Sequence, residues 1–295
     1  MENRDKDNMD IEELRSKVRE RFAIDTRALA AFRISLGLLL LADLLLRSRD
    51  LVAFYTDSGV LPRQALQEHS SFLYSISLHT LSGDAWFQAL LFVIAGVLAL
   101  SLLFGYRTRT VTVASWVLLV SLHARNPVLL NGGDSLLRRL LFWSVFLPLG
   151  EKWSVDAVRK DSQKQQVTNL ASAALLLQVV MIYTVNAIFK LRGGIWTNGE
   201  AILYVFSLDQ LTVLFGDILS QYPDLLVFLN YVWLVMVIFS AGLILLRGRS
   251  RAVFASLFVV MHLGMLLTMN LGLFPLISIA GLIPFLPREV WDGVP

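Results

Sequence analysis

The sequence predicts an all-α fold: a polytopic integral membrane helical bundle with about eight transmembrane helices and both termini in the cytoplasm. Hydrophobic residues make up 56% of the 295 residues, and the mean hydropathy is +0.62. Charged residues make up 17%, whereas a soluble domain has roughly 25%. The apolar residues also fall in long uncharged runs, which a bilayer accommodates and a soluble protein of this length cannot bury.

Eight apolar runs are long enough, or nearly long enough, to cross a bilayer. They lie near residues 28–46, 86–104, 110–123, 135–149, 168–189, 224–246, 252–269 and 271–287. The third and fourth are short against the need for about 20 residues, so they are tilted, extended into the flanking loop or partly re-entrant. The split between the last two is open, and Pro275, Pro284 and Pro287 kink or end the final run.

Lysine and arginine residues are distributed unevenly between alternate connections of these runs. With the N-terminus in the cytoplasm, 17 of the 26 fall on the cytoplasmic side, 8 on the other, and Arg33 within the first run. Cytoplasmic loops of multi-pass proteins carry the excess of positive charge. The bias therefore predicts a multi-pass protein of the cell membrane with cytoplasmic N- and C-termini.

The chain before the first run has a different pattern. Ile11, Leu14, Val18 and Phe22 recur at helical spacing among charged residues, which favours an amphipathic helix on the membrane surface. The polar first ten residues are equally typical of a partly disordered tail. We therefore expect a cytoplasmic lead over residues 1–27, one transmembrane domain over residues 28–290, and no separate soluble domain.

Composition and motifs exclude several classes of function. The chain has no cysteine, so thiolate catalysis, iron–sulfur clusters and disulfides are excluded. The four histidines lack the spacing of metal ligands, and no nucleotide-binding glycine motif or nucleophile elbow occurs, so we expect no metal. The net charge of +3 fits the cytoplasmic loops of a membrane protein, so we expect no nucleic-acid partner.

Lys190 ends an apolar run over residues 169–189 and is well suited to chemistry. Asn186 and Tyr183 lie one and two helical turns before it, on the same face. An amine whose charge is tuned by burial suits base or Schiff-base chemistry. A lysine at a membrane edge is also a common interfacial anchor, so the sequence leaves both roles open.

Polar residues within the predicted spans collect toward the outer side of the membrane. They are Asp43, His123, Asn186, Lys190, His262 and Asn270. Ionisable groups in a bilayer are costly and usually face a cavity or pair with one another. Their placement predicts one polar cavity that opens outward. A lone intramembrane histidine such as His262 is also typical of an interhelical hydrogen bond.

The stretch from His123 to Arg138 is the densest polar segment. Pro127 and two glycines break regular structure, and Asp134 is placed to cap the helix that follows. One interpretation is an interhelical turn in which Asp134 pairs with Arg138 one turn later. In the other interpretation, His123 and Asp134 face a bound substrate.

Two further features have structural and functional interpretations. The segment from Tyr55 to Arg63 is a turn with Asp57-Ser58-Gly59 at its tip, which is either a lid over the cavity or a plain loop. Arg33 lies one or two turns inside the first span. It either snorkels to the cytoplasmic surface or pairs with a carboxylate of another helix, and we favour a structural role.

Several of these elements together resemble the HTTM (horizontally transferred transmembrane) domain family, which includes vitamin K-dependent gamma-carboxylase. The resemblance covers roughly residues 25 to 290. The residues that carry it are Phe32-Arg33, Phe54-Tyr55, Gly59-Val60-Leu61-Pro62, the stretch 123–138, Trp153-Ser154-Val155-Asp156, Phe189-Lys190-Leu191 and His262.

The resemblance implies a chemistry and a cofactor. In the carboxylases, a lysine at the outer end of a membrane helix deprotonates a reduced naphthoquinone, and Lys190-Leu191 matches that step. With the polar cavity, it points to Lys190, His262, His123 and Asp134 as candidate catalytic residues. The candidate cofactor-binding residues are Tyr183, Asn186, Asn131, Arg138, Tyr55 and Asn270.

Two departures separate the chain from the carboxylases. A histidine that assists the carboxylase lysine falls here near Gly133, in Asn131-Gly132-Gly133-Asp134. The carboxylases also carry a large lumenal domain for substrate recognition, whereas this chain ends at Pro295, directly after its last predicted span. Full gamma-glutamyl carboxylase activity is therefore not expected.

Three functions remain to be compared. The first is a carboxylase-like or quinone-dependent lyase or oxidoreductase, whose outward cavity binds a quinone-like molecule with Lys190 as base. The second is a non-enzymatic membrane factor that binds lipid or a secreted peptide and assists its maturation or export. In either case a partner chain is a possible source of an extracytoplasmic domain. A transporter ranks lowest, because no internal repeat is visible.

Overall fold

The computed structural model describes residues 16, 18–69, 77–159 and 164–293. Residues 18–21 are helical, and most of the predicted surface helix, including Ile11 and Leu14, lies outside the described residues. The described chain is almost entirely helical, as predicted. Its two strands, β1 (Ile24–Asp25) and β2 (Gln166–Val167), form one short antiparallel pair.

A helix is found in each of the eight predicted runs. These helices are α1 (Thr26–Ser48), α2 (Ala85–Phe104), α3 (Thr108–Arg125), α4 (Gly132–Ser144), α5 (Leu170–Arg192), α6 (Pro223–Ile238), α7 (Gly248–Thr268) and α8 (Phe274–Leu282). Shorter helices occupy Leu51–Tyr55, Arg63–His69, Val155–Val158, Gly194–Thr197, Ala201–Phe206, Gly216–Leu219, Gly242–Leu245 and Arg288–Trp291. Single 3-10 turns lie at Leu78–Thr80, Pro127–Leu129 and Ile283–Phe285.

Four of the eight helices are long and apolar enough to cross a membrane. They are α1, α2, α5 and α7, with lengths of 23, 20, 23 and 21 residues. Helix α6 and the segment Phe274–Phe285 are apolar but shorter. A multi-pass membrane protein follows from these lengths, while the count of eight spans and the side on which the termini lie stay predictions.

The described chain divides into two compact units. Of the described residues, the first unit contains 16, 18–28, 164–271 and 282–293, and the second contains 29–69, 77–159 and 272–281. In the first unit α5 packs against α6, and the rings of Tyr183, Trp233 and Phe258 pack edge to face or tilted. In the second unit α3 packs against α2 and α4. Each unit is described by itself below.

The end of α2 in the second unit depends on a buried arginine. The Arg33 side chain has 0% exposure, and its guanidinium donates to the carbonyl oxygens of Leu102 and Leu103 at 3.1 and 2.9 Å and to that of Trp153. The last carbonyls of a helix lack partners within the helix, so these bonds satisfy them. This confirms the structural role of Arg33, although carbonyls take the place of the expected carboxylate and the side chain does not snorkel.

A glycine makes room for this arrangement. Gly105 follows α2 with φ of 68°, a left-handed conformation that closes the helix through a bond from its N–H to the Leu102 carbonyl. A Cβ at this position would lie 2.2 Å from the Arg33 guanidinium. Glycine is therefore required both by the backbone angle and by the arginine that caps the helix.

We expect Arg33→Met to destabilise the protein by about 3 kcal/mol, because it leaves buried carbonyl groups without donors. The measurement is unfolding of the purified protein in detergent, followed by tryptophan fluorescence. Arg109→Met is the matched control, because Arg109 lies on exposed surface of α3. Equal unfolding midpoints for the two variants would contradict the capping role of Arg33.

Candidate functional site

The second unit contains a cavity of about 240 Å³ that combines polar and apolar walls. Its polar lining consists of Asp43, Arg47, Asp50, Tyr55, Asn131 and Asp134. Its apolar lining includes Leu46, Phe54, Leu129, Leu273, Phe274 and Ile277. We call this the large cavity, to distinguish it from a smaller one that shares Asp43 with it. A more open and more apolar groove of about 530 Å³ lies elsewhere in the same unit, along Leu78, Leu81, Trp116 and Val120.

The guanidinium of Arg47 connects three segments of the large cavity. Its Nε donates to both carboxylate oxygens of Asp43 on α1, at 2.8 and 2.9 Å. Its Nη1 donates to the hydroxyl of Tyr55 at 2.9 Å, and its Nη2 donates to Oδ1 of Asp134 on α4. Two carboxylates therefore face one guanidinium, and with Asp50 the lining contains three carboxylates, so the cavity is rich in hydrogen-bond acceptors.

Besides its ion pair with Arg47, Asp134 stabilises the first turn of α4. The Asn131 side chain accepts from the N–H groups of Gly133 and Asp134, while Oδ2 of Asp134 accepts from the Asn131 N–H at 2.7 Å. This capping box opens α4 with Asn131 as the N-cap, so Asp134 takes part in capping from inside the first turn and is not itself the N-cap residue that was expected. The predicted pairing of Asp134 with Arg138 is wrong: the bond to Arg47 takes its place, because the capping geometry directs the carboxylate across to α1.

The position of Gly133 is tightly enclosed. A Cβ there would lie 2.9 Å from the Asn131 side chain and 3.0 Å from the backbone of Phe274. Any side chain at this position would therefore require the Asn131 side chain and the start of α8 to shift. In the carboxylases, a histidine falls near this position. The close packing around Gly133 gives a steric reason why this chain has a glycine instead.

His123 lies behind the large cavity and beside Asp134. Its side chain is fully buried, and its Nε2 is 3.6 Å from Oδ1 of Asp134. The nearby Arg138 is half-buried. The structure thus brings His123, Asp134, Asn131 and Tyr55 together in the second unit, although His123 does not line the cavity itself.

Tyr55 and the turn after it are held by ionic groups. Burial raises the pKa of the Tyr55 phenol, so it stays protonated near neutral pH. Beyond it, Asp57 accepts from the backbone and the guanidinium of Arg63, at 3.0 and 2.8 Å. These bonds hold the pKa of Asp57 below its usual range. The turn is closed by its own ion pair, and Phe54 and Tyr55 rather than its tip line the cavity.

The other predicted site residues lie in the first unit. The Lys190 Nζ sits 2.9 Å from the centroid of the Trp196 ring. The His262 ring lies among aromatic rings, 6.1 Å from that of Tyr183 and 5.5 Å from that of Trp233, and its Nδ1 is 2.8 Å from the Phe258 carbonyl. This contact joins two residues of α7, so it is a bond within one helix, and the interhelical bond expected for His262 stays a prediction.

Two asparagines predicted to bind a cofactor are on the surface of the first unit. Asn186 and Asn270 are both exposed, and the Asn270 N–H donates to the carbonyl of Leu211 at 2.8 Å. The first unit therefore brings Tyr183 and His262 together and gives Lys190 an aromatic partner. The catalytic and binding roles of all these residues stay predictions.

Sequence reasoning missed the importance of Arg47. It was counted only among the positive charges of an outer connection, and Asp43 only among polar residues near the end of a span. A signal was present, since Asp43 and Arg47 are four residues apart and so share one face of a helix. Their link to Asp134 joins residues 87 apart and leaves no local pattern.

His79 is a second buried polar residue of the second unit. Its Nδ1 is 2.7 Å from Oε1 of Gln88, and the Gln88 amide nitrogen donates to the carbonyls of His79 and Ser82. The His79 N–H also donates to the hydroxyl of Ser121. Burial lowers the pKa of His79 to about 4, so the ring is neutral at physiological pH.

The four long apolar helices define a multi-pass helical membrane protein. The family model described as the HTTM domain matches residues 22–291, and the chain belongs to that family. No curated protein matches the chain. No solved structure matches it.

We expect the pH dependence of stability to include a contribution from His79. The unfolded histidine has a pKa near 6.5 and the folded one a pKa of about 4, so the unfolded state binds the extra proton between these values. The contribution of His79 to the free energy of unfolding is complete above pH 6.5. It falls by about 3 kcal/mol in total as the pH is lowered to 4. Unfolding midpoints of wild type and His79→Gln across this range check this. Parallel curves for the two proteins would count against it.

Proposed function

We propose that the protein binds a quinone-like lipophilic molecule in the large cavity, which opens outward. This proposal rests on the lining of the large cavity, which combines the Arg47 guanidinium and three carboxylates with an apolar wall. Ligand pockets of about 300–1,000 Å³ hold whole drug-sized molecules. At about 240 Å³ the large cavity suits a ring head, with an attached lipid tail left in the membrane.

The acceptors of the large cavity fit the reduced form of such a head. A reduced naphthoquinone carries two hydroxyl groups, and each is a hydrogen-bond donor. Asp43 and Asp134 retain lone pairs beyond those used by Arg47, and charged acceptors form the stronger hydrogen bonds. The Tyr55 hydroxyl accepts from Arg47 and so has its own proton to donate. An oxidised quinone has only acceptors and meets three carboxylates.

The chemistry of such a molecule needs a base. When bound, a reduced naphthoquinone supplies a hydroxyl that loses a proton and then reacts with oxygen. On the parallel with the carboxylase lysine, we propose that Lys190, with His262 in support, is a base of the first unit, as a proposal separate from binding in the large cavity. Lys190 belongs to the first unit and the large cavity to the second, so each is tested by its own variants.

A second candidate function is favoured by the surroundings of Lys190. Its amine lies over the face of Trp196, a contact that stabilises the charged form of a lysine. Tryptophan and lysine are also typical anchors at a membrane interface. Under this proposal the protein is a non-enzymatic factor that binds lipid or assists maturation or export of a secreted peptide, with a partner chain as the source of any extracytoplasmic domain.

We expect purified wild-type protein to bind reduced menadione more tightly than oxidised menadione, with binding measured by quenching of tryptophan fluorescence. Asp134→Asn removes a charged acceptor, worth about 1.5–3 kcal/mol, and so weakens binding roughly tenfold or more. The control is Asp217→Asn, which alters an exposed carboxylate of the first unit. Equal binding by all three proteins, or none by wild type, rules out the large cavity as a quinone site.

Substitutions of Lys190 separate a base from an anchor. A guanidinium keeps the cation–π contact but does not act as a base. If Lys190 is the base, Lys190→Arg abolishes the protein-dependent oxygen consumption, measured above the spontaneous oxidation of reduced menadione, while the melting temperature is kept. If Lys190 is an anchor, Lys190→Arg matches wild type, Lys190→Met lowers the melting temperature, and exposed Arg192→Met does not.

A further inference from the structure

A small cavity of about 20 Å³ in the second unit shares Asp43 with the large cavity. Three polar residues line it: Asp43, His79 and Ser115. The rest of its lining is apolar, from residues such as Leu40 and Leu118. A space of about 10–15 Å³ or more with two to four polar partners is enough to hold one ordered water. The small cavity meets both conditions.

The hydrogen bonds of His79 fix which ring nitrogen can accept a bond here. The Gln88 amide nitrogen is engaged as a donor to two carbonyls, so its Oε1 is the acceptor for His79. Nδ1 of His79 therefore carries the proton, and Nε2 carries the lone pair. The ring as a whole is almost completely buried, at 1% exposure, and it lines the small cavity.

Ser115 supplies the complementary group. Its hydroxyl oxygen on α3 is buried and has no hydrogen-bond partner among the described residues. A buried hydroxyl without a partner is costly. Asp43 has acceptor sites beyond the bonds from Arg47 Nε. The lining thus presents one donor and two acceptors around a space of one water.

We propose that a single ordered water occupies the small cavity, accepts from Ser115 and donates to Nε2 of His79 and to the Asp43 carboxylate. The water gives the Ser115 hydroxyl its partner and adds one hydrogen bond to each of the other two groups. Because Asp43 is held by Arg47 from one side and by this water from the other, the water fixes the carboxylate that faces the large cavity. The site stands whether or not the large cavity binds a quinone, so its tests use the protein without ligand.

The direction in which two Ser115 variants change the melting temperature tests the proposal. With the water present, Ser115→Ala removes its donor and lowers the melting temperature by about 2–4 °C. Ser115→Val displaces the water, leaves Asp43 and His79 without it, and lowers the melting temperature further. In a dry cavity both changes raise the melting temperature, because an unpartnered hydroxyl is lost and the valine methyls fill space. A melting temperature at or above that of wild type for either variant overturns the proposal.

Infrared spectroscopy tests the water directly and does not depend on a variant's folding. Exchange into H₂¹⁸O should shift a band of strongly hydrogen-bonded water in the wild-type protein. The band should be lost in Ser115→Ala and kept in Ser144→Ala, whose buried hydroxyl bonds instead to the Leu140 carbonyl of its own helix. Absence of the band from wild type, or its persistence in Ser115→Ala, overturns the proposal.

Discussion

A buried positive charge must find partners, and in the second unit the Arg47 guanidinium finds them on separate segments of the chain. Removing a charge from water is costly unless opposite charges and hydrogen bonds replace the solvent. Asp43, Tyr55 and Asp134 supply these, and Asp134 in turn closes the first turn of α4. The positions of α1, α4 and the Leu51–Tyr55 helix are therefore tied to one side chain. The large cavity exists where these segments meet α8.

The helices were predictable because their signals are local. Long apolar runs, prolines and glycines set where each helix begins and ends, and all eight runs are helical in the structure. The part that Asp134 takes in capping was predictable for the same reason, since a capping box spans only four residues, although Asn131 is the N-cap. Membrane crossing is less direct, because α4 and α8 have only 13 and 9 residues.

The site was less predictable because its key contacts join distant residues. The short spacing between Asp134 and Arg138 favoured a pair that does not form, since the sequence does not show that Arg47 lies opposite. The contact of Lys190 with Trp196 is different, because the two residues are only six apart. The helix breaks at Gly193 between them, so helical spacing did not predict that contact. Arg33 shows the opposite case. Its structural role could be predicted from its position inside the first span, but the carbonyl groups to which it donates could not.

The close approach of Gly133 to α8 limits how this chain can change. Even an alanine there would press on the backbone of Phe274, so no single substitution can introduce a larger side chain without a shift of α8. A histidine at this position would need a second, permissive change along the facing segment. The effect of a substitution at residue 133 therefore depends on the residues that face it in α8. A change from this chain toward a carboxylase-like site requires the substitution in α8 first.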